Sequence, residues 1–347
     1  MLNRFRTYLI AALVSGLVLA GAGAWMIFGT NTLDYAGERS VKIPPGADFA
    51  AVVDSLEQRD ILASQTTFRL VGWLSGWRHQ VKTGHYTFEA GASNYRMLDV
   101  LRRGLQTPLR VTIPPGSRPE VVAAVAGREM AFTPSAFRAA LRDTALAAAL
   151  GTDTTALFGY MMPETYFFYW QTPADDVVRR IKEHFDTFYE RTLQAGADSL
   201  DLTKAELVTL ASIIEWETGI VDEKPRIAGV YLNRIDRGMP LQADPTVQYA
   251  VMEREGQKRR LLFRDYDIEH PYNTYNYRGL PPGPLTNPSP SSMRAVVNAE
   301  EHRYFYFVAT GDGGHTFSRT LREHVRAANE YRRLMRERRR EQASDNS

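Results

Sequence analysis

The sequence predicts an α+β protein: a single N-terminal transmembrane helix, a small βα-repeat region, and a mostly helical C-terminal domain carrying a β-hairpin. Three observations predict it. Residues 9–28 form a 20-residue run without a charge. Val41-Lys42-Ile43-Pro44-Pro45-Gly46 returns as Val111-Thr112-Ile113-Pro114-Pro115-Gly116, each copy reading as a strand and a turn. From about residue 151, helical periods alternate with aromatic and polar loops and end near a glycine-rich turn, Gly311-Asp312-Gly313-Gly314.

Composition narrows the chemistry. The 347 residues allow two or three domains. A net charge of +2 is too balanced to point to nucleic acid as a partner. The absence of cysteine excludes disulfides, thiolate nucleophiles and zinc–sulfur sites, and the seven histidines show no metal-ligand spacing.

In chain order, residues 1–8 carry Arg4 and Arg6, and Asp34 and Glu38 follow the apolar run. That bias keeps the short N-terminus cytoplasmic and exports the rest. Ala20-Gly21-Ala22 resembles a cleavage site, but the apolar run continues to Phe28, which favours an uncleaved anchor over residues 9–28. Residues 29–40 read as a polar linker and 41–150 as the βα-repeat region. Each Pro-Pro-Gly turn there precedes a helical pattern, Phe49-Val52-Val53-Leu56 in the first copy and Val121-Val122-Val125 in the second.

The 151–335 domain is organised around Leu202–Gly219. Thr203 and Glu206 have capping-box spacing, and Gly219 suits a C′ position with positive φ. Leu207, Leu210, Ala211 and Ile214 form one stripe, with Glu215 and Glu217 on opposite borders, roughly 160° apart. Both cannot face one ligand, and the period does not choose between them. Burial and the negative end of the helix dipole would raise the pKa of a carboxylate here, as a general acid requires. The same residues also suit a surface helix ending in two solvated acids.

A partner helix begins near Pro225 and ends at Gly238. Asp244-Pro245 reads as an N-cap followed by an N1 proline. Residues 270–283 alternate aromatic rings with amides, a pattern suited to a ligand-facing loop. Ser289-Pro290 starts another helix, and strands flank the glycine-rich turn. A last helix from Thr320 runs into a basic stretch, 336–347, expected to be solvated and frayed.

Several stretches together resemble one family. Leu210-Ala211-Ser212-Ile213-Ile214-Glu215-Trp216-Glu217-Thr218, Gly238–Val247, Tyr272-Asn273-Thr274-Tyr275, Gly279-Leu280-Pro281-Pro282-Gly283 and Gly314-His315-Thr316-Phe317 are similar to the motifs of the MltG (YceG-like) endolytic murein transglycosylases. The resemblance implies a LysM-like 41–150 region and a catalytic domain over 151–335. It implies cleavage of the MurNAc–GlcNAc bond within nascent peptidoglycan strands, without water, leaving 1,6-anhydroMurNAc ends and terminating elongation. It implies Glu215 as the catalytic residue, no cofactor, and no metal. The cleft residues it marks are Glu217, Gln242, Asp244, Asn273, Thr274 and Tyr275. The expected partners are glycan strands, the inner membrane and peptidoglycan synthases. Two positions depart from the pattern: Trp216 stands where lysine is common, and Asn287-Pro288-Ser289 where Asn-Pro-Gly is usual. The alternatives are a lysozyme-type hydrolase, with Asp244 or Glu217 as second carboxylate, and a non-catalytic wall-binding scaffold.

Overall fold

A computed structural model describes residues 2–311 and 313–345. Asp312 of the hairpin turn and the last two residues of the basic stretch lie outside them. The protein is α+β and mostly helical, with three two-stranded sheets among the described residues. The chain divides into two compact units. Unit 1 comprises Met1–Arg110, Glu129–Ala131 and Phe167–Thr172; unit 2 comprises Val111–Arg128, Phe132–Tyr166 and Pro173–Ser347.

Unit 1 begins with α1 (Leu2–Phe28), whose apolar side chains stand exposed along most of its length. Then come β1 (Glu38–Ile43), α2 (Phe49–Gln58), α3 (Gln65–Leu74), β2 (Gly84–Glu89) and α4 (Asn94–Arg103). β1 pairs antiparallel with β2, Val41 opposite Tyr86 and Ile43 opposite Gly84. Alternation sends Val41, Ile43, Tyr86 and Phe88 inward, where they meet Val52, Val53 and Leu56 of α2, Phe68 of α3, and Met97, Leu98 and Leu101 of α4. Asp48, Ser64 and Ser93 cap α2, α3 and α4 with side-chain oxygens, which fixes where each helix starts.

Unit 2 holds the end of β3 (Leu109–Thr112), all but the last residue of α5 (Pro119–Glu129), then α6 (Pro134–Arg142), α7 (Thr144–Ala149), the start of β4 (Thr165–Phe168), α8 (Ala174–Phe188), a π turn, and α9 (Gln194–Ser199). It continues with α10 (Lys204–Glu217), α11 (Lys224–Asp236), α12 (Asp244–Glu255), α13 (Pro290–Val297), the hairpin β5 (Tyr306–Ala309) and β6 (His315–Ser318), and α14 (Leu321–Asp345). α10 is the centre. All eight residues from Leu207 to Ile214 are buried, so the helix is surrounded rather than half-exposed. Leu210, Ala211 and Ile214 pack with Ile227 and Tyr231 of α11 and Met293 and Val296 of α13 in one core.

Four expectations change. The second Pro-Pro-Gly copy does not repeat the pairing of the first: β3 pairs with β4, some fifty residues on, and Val111–Arg128 belongs to unit 2. The 29–40 segment is not a free linker. Asn31 Nδ2 donates to Asn94 Oδ1 (2.6 Å) and Ser64 O (2.8 Å), its Oδ1 accepts from Ser64 N (2.9 Å), and Asn94 Nδ2 reaches back to Met26 O (2.9 Å). Gly219 does not adopt positive φ; Thr218 ends α10 in an extended conformation. The basic end continues as helix to Asp345.

Asn31 is 4% exposed, so Asn31→Ala leaves the buried Asn94 amide and the Ser64 backbone without this partner. A loss of about 1–3 kcal/mol is expected. Amide hydrogen exchange at Ser64 should accelerate roughly tenfold or more, since 1.4 kcal/mol is a factor of ten.

Candidate active site

The last turn of α10 sends its two carboxylates to different surroundings. Glu215 Oε2 accepts from the Ser289 N–H (3.0 Å), the Ser289 hydroxyl (2.5 Å), the Ser292 hydroxyl (2.5 Å) and Lys224 Nζ (3.3 Å). Ser289 is the N-cap of α13, so the carboxylate meets the positive end of that helix. Lys224 opens α11 and is itself 5% exposed at its side chain. Burial pushes the Glu215 pKa up, but the two serine hydroxyls, the Ser289 N–H and the Lys224 charge together outweigh it and hold it below the ordinary carboxylate value. Glu215 is therefore an ionised staple joining α10, α11 and α13. A raised pKa, expected for an acid at this helix end, is not found at Glu215.

Glu217 meets the opposite environment. It borders a cavity of about 440 Å³ that Glu215 does not line, together with Tyr231, Arg234, Gln242, Asp244, Tyr266, Tyr275, Phe307 and His315. Tyr231 donates its hydroxyl to Glu217 Oε1, leaving Oε2 for a proton. Desolvation by the crowd of neighbours raises the Glu217 pKa to about 7; Asp244 adds to the rise, while the Tyr231 hydrogen bond and Arg234 oppose it. Part of its surface still opens on the cavity, so the proton remains accessible. A carboxyl half-protonated near neutral pH suits proton transfer in both directions.

The other walls come from α11, α12, the hairpin, and the loops that carry Gln242, Tyr266 and Tyr275. α12 begins at Asp244, but Asp244 does not cap it: the carboxylate instead accepts from the hydroxyls of Tyr275 (2.7 Å) and Tyr266 (3.3 Å). Gln242 adopts a strained φ of 48° that turns the chain into the wall. Burial raises the Tyr266 pKa to about 12 and that of Tyr275 further, so both stay donors. The hairpin contributes Phe307, edge-on to Tyr231 at 5.9 Å, and His315, whose Nδ1 pairs with Glu223 Oε2 at 2.7 Å. Arg234 ties the hairpin to the 240–241 turn through Phe305 O (2.6 Å) and Leu241 O (2.7 Å).

Of the residues expected in a cleft, the structure brings Glu217, Gln242, Asp244 and Tyr275 together and leaves two out. Asn273 is fully buried; its Nδ2 donates to Tyr266 O and Ile268 O (both 2.9 Å) and its Oδ1 accepts from Tyr275 N (3.0 Å). Thr274 Oγ1 accepts from Ala243 N (3.0 Å) and meets Thr246 Oγ1 at 2.9 Å. Both side chains are consumed in holding the loop that aims Tyr266 and Tyr275.

Residues 41–330 match the model of the YceG-like family. The chain belongs to the YceG-like family. It is similar to the endolytic murein transglycosylase of Bacillus subtilis (strain 168), 28% identical over 336 residues and covering 91% of each chain. It is also similar to that of Streptococcus pneumoniae (strain ATCC BAA-255 / R6), 27% identical over 326 residues; the match covers 82% of this chain and 58% of the relative's length. The crystal structure of a yceG-like protein from Listeria monocytogenes has the same fold, with a TM-score of 0.58 at 24% identity over 83% of this chain and 98% of that one.

In this YceG-like chain the second Pro-Pro-Gly copy supports the site. Trp216 Nε1 donates to Gly116 O (2.9 Å), and buried Asn287 bridges Ser117 N (2.8 Å), Pro114 O (3.1 Å) and Met161 O (3.0 Å). Sequence reasoning passed over Lys224, Tyr231 and Arg234, which look like ordinary residues of an amphipathic helix. Ser289 before Pro290 did carry a signal: a helix start attracts a carboxylate.

The Glu217 pKa lies above its unfolded value, so folding favours the protonated form. Its stabilising contribution is full below about 4.5 and is lost as pH rises through about 7. Urea unfolding of the wild type across that window should show a decline of about 3 kcal/mol that Glu217→Gln lacks.

Proposed function

We propose that this chain is a membrane-anchored lytic transglycosylase that cuts the MurNAc–GlcNAc bond within peptidoglycan strands and leaves 1,6-anhydroMurNAc ends. Its family membership and the names of its relatives support the reaction class. The observation that carries the reading is Glu217, a carboxyl whose pKa is raised to about 7 in an aromatic and polar cavity that it shares with Asp244. Among the described residues no cluster of three or more His, Asp or Glu is arranged to hold a metal ion.

Protonated Glu217 would donate to the glycosidic oxygen as the bond to C1 breaks. Its carboxylate would then take the proton from the muramoyl C6 hydroxyl as that oxygen closes on C1. One group serves as acid and then base, so no water is activated; hydrolysing glycosidases need a second carboxylate for that. The Asp244 carboxylate would stabilise positive charge developing at the sugar ring, and Gln242 and Tyr275 would position the sugars. The resemblance pointed to Glu215 for the proton transfer. We read Glu217 in that role instead, because the pKa of Glu215 is lowered and its Oε2 already accepts from Ser289, Ser292 and Lys224.

The β1–α2–α3–β2 arrangement we read as the LysM-like part. α1, long and apolar enough to cross a bilayer, we read as an uncleaved single-pass inner-membrane anchor with both units on the periplasmic side. An anchored strand-cutting enzyme works where strands are made, so peptidoglycan synthases are the expected partners.

Paired variants test the assignment. Glu217→Gln should lower cleavage about 10²–10⁴-fold with the fold intact, since an amide cannot transfer a proton. Glu215→Gln should instead destabilise unit 2 by about 3–5 kcal/mol, because it leaves Lys224 buried without its charge partner. A Glu217→Gln protein that still cuts glycan at wild-type rate would overturn the assignment. Digestion in heavy-oxygen water, read by mass spectrometry, separates the reaction from hydrolysis: anhydro ends without label are expected, and labelled reducing ends would indicate a lysozyme-type enzyme.

A further inference from the structure

Beyond α1, helix α3 carries three exposed apolar side chains. Leu70, Trp73 and Leu74 are 43%, 58% and 61% exposed. They stand at i, i+3 and i+4 of α3 and so form one stripe. The opposite face of the same helix, Phe68, Val71 and Gly72, is buried in the unit 1 core. A short helix that is apolar on both faces has a second apolar medium to meet.

The stripe adjoins the end of α1. α1 packs on both α3 and α4. Phe28, at its last turn, lies 5.5 Å from the Tyr95 ring, and Tyr95 lies 5.2 Å from Trp77, which follows the stripe. Trp25 and Phe28 are themselves 69% and 64% exposed. The turn after the stripe carries exposed Arg78 and His79. Tryptophan and tyrosine beside basic side chains make up the boundary between acyl chains and headgroups. The Asn31–Asn94–Ser64 hydrogen bonds and the backbone bonds Asn31 N to Ala92 O and Leu33 N to Ile61 O hold unit 1 at the point where α1 ends. The stripe thus sits on a helix that is fixed against the end of α1.

We propose that Leu70, Trp73 and Leu74 form a bilayer-docking face that dips into the leaflet from which α1 emerges, with Arg78 and His79 among anionic headgroups. Unit 1 then rests on the membrane through a fixed face instead of swinging from a tether. The inference depends on α1 being an anchor, and the test keeps the two apart.

The chain contains no cysteine, so single cysteines at Leu13 and Trp73 can be labelled with a fluorophore in the full-length protein. The protein is placed in nanodiscs of phosphatidylethanolamine and phosphatidylglycerol, and quenching by lipid-borne nitroxide is compared with quenching by aqueous iodide. Lipid quenching at both positions is expected. Adding Leu70→Ser and Leu74→Ser should shift the position-73 label from lipid to iodide quenching while position 13 is unchanged. Lipid quenching at 13 with only iodide quenching at 73 would leave the anchor standing and overturn the docking face. Shielding of 73 from both quenchers would mean that a protein covers the stripe and would also overturn it. Absence of lipid quenching at 13 would remove the anchor and the proposal with it.

Discussion

The end of α10 holds two carboxylates, two residues apart, whose pKa values are shifted in opposite directions. The rest of unit 2 is arranged to produce these shifts. On one side, α13 starts with a serine cap and α11 starts with Lys224, so Glu215 finds an N–H, two hydroxyls and an ammonium group. On the other side, Tyr231, Asp244 and the hairpin crowd Glu217 and deprive it of water without offering a full charge partner. Arg234 is close enough to lower the Glu217 pKa, but its guanidinium donates to the backbone of the hairpin and the 240–241 turn. The staple fixes the rotation of α10, and that rotation decides which glutamate faces the cavity.

The second Pro-Pro-Gly segment is part of this arrangement. Its glycine takes a φ of 63° and passes close to the side chains of Glu215 and Trp216. A Cβ there would sit in a strained backbone conformation against the helix that carries the site. Asn287, in the loop before α13, holds the same segment from the other direction. The repeated sequence thus marks repeated local structure and not a repeated domain. The first copy builds the core of unit 1, and the second braces unit 2.

Local signals were legible in the sequence. The Thr203/Glu206 capping box forms, the hairpin forms with Ala309 opposite His315, and the helical patterns after the two Pro-Pro-Gly turns form α2 and α5. The divergence of Glu215 and Glu217 followed from helical period alone. What was not legible depends on contacts far along the chain: the pairing of β3 with β4, and the arrival of Ser289 and Lys224 at Glu215. The 270–277 loop misled in an instructive way. Its amides and rings read as one ligand-facing surface, yet folding spends Asn273 and Thr274 on the loop's own backbone and turns the tyrosine outward. Asp244 likewise has the sequence of a cap, but two tyrosine hydroxyls compete for its carboxylate and win.

The account rests on the protonation states of two glutamates, and these can be observed directly. Carboxyl carbon NMR of protein labelled at glutamate, with Glu217→Gln and Glu215→Gln samples to assign the two signals, gives each titration curve. The account predicts a Glu217 midpoint at about 7 and a Glu215 midpoint below the ordinary 4.5. A Glu217 that titrates at the ordinary value, or a Glu215 that titrates above it, would contradict the central claim.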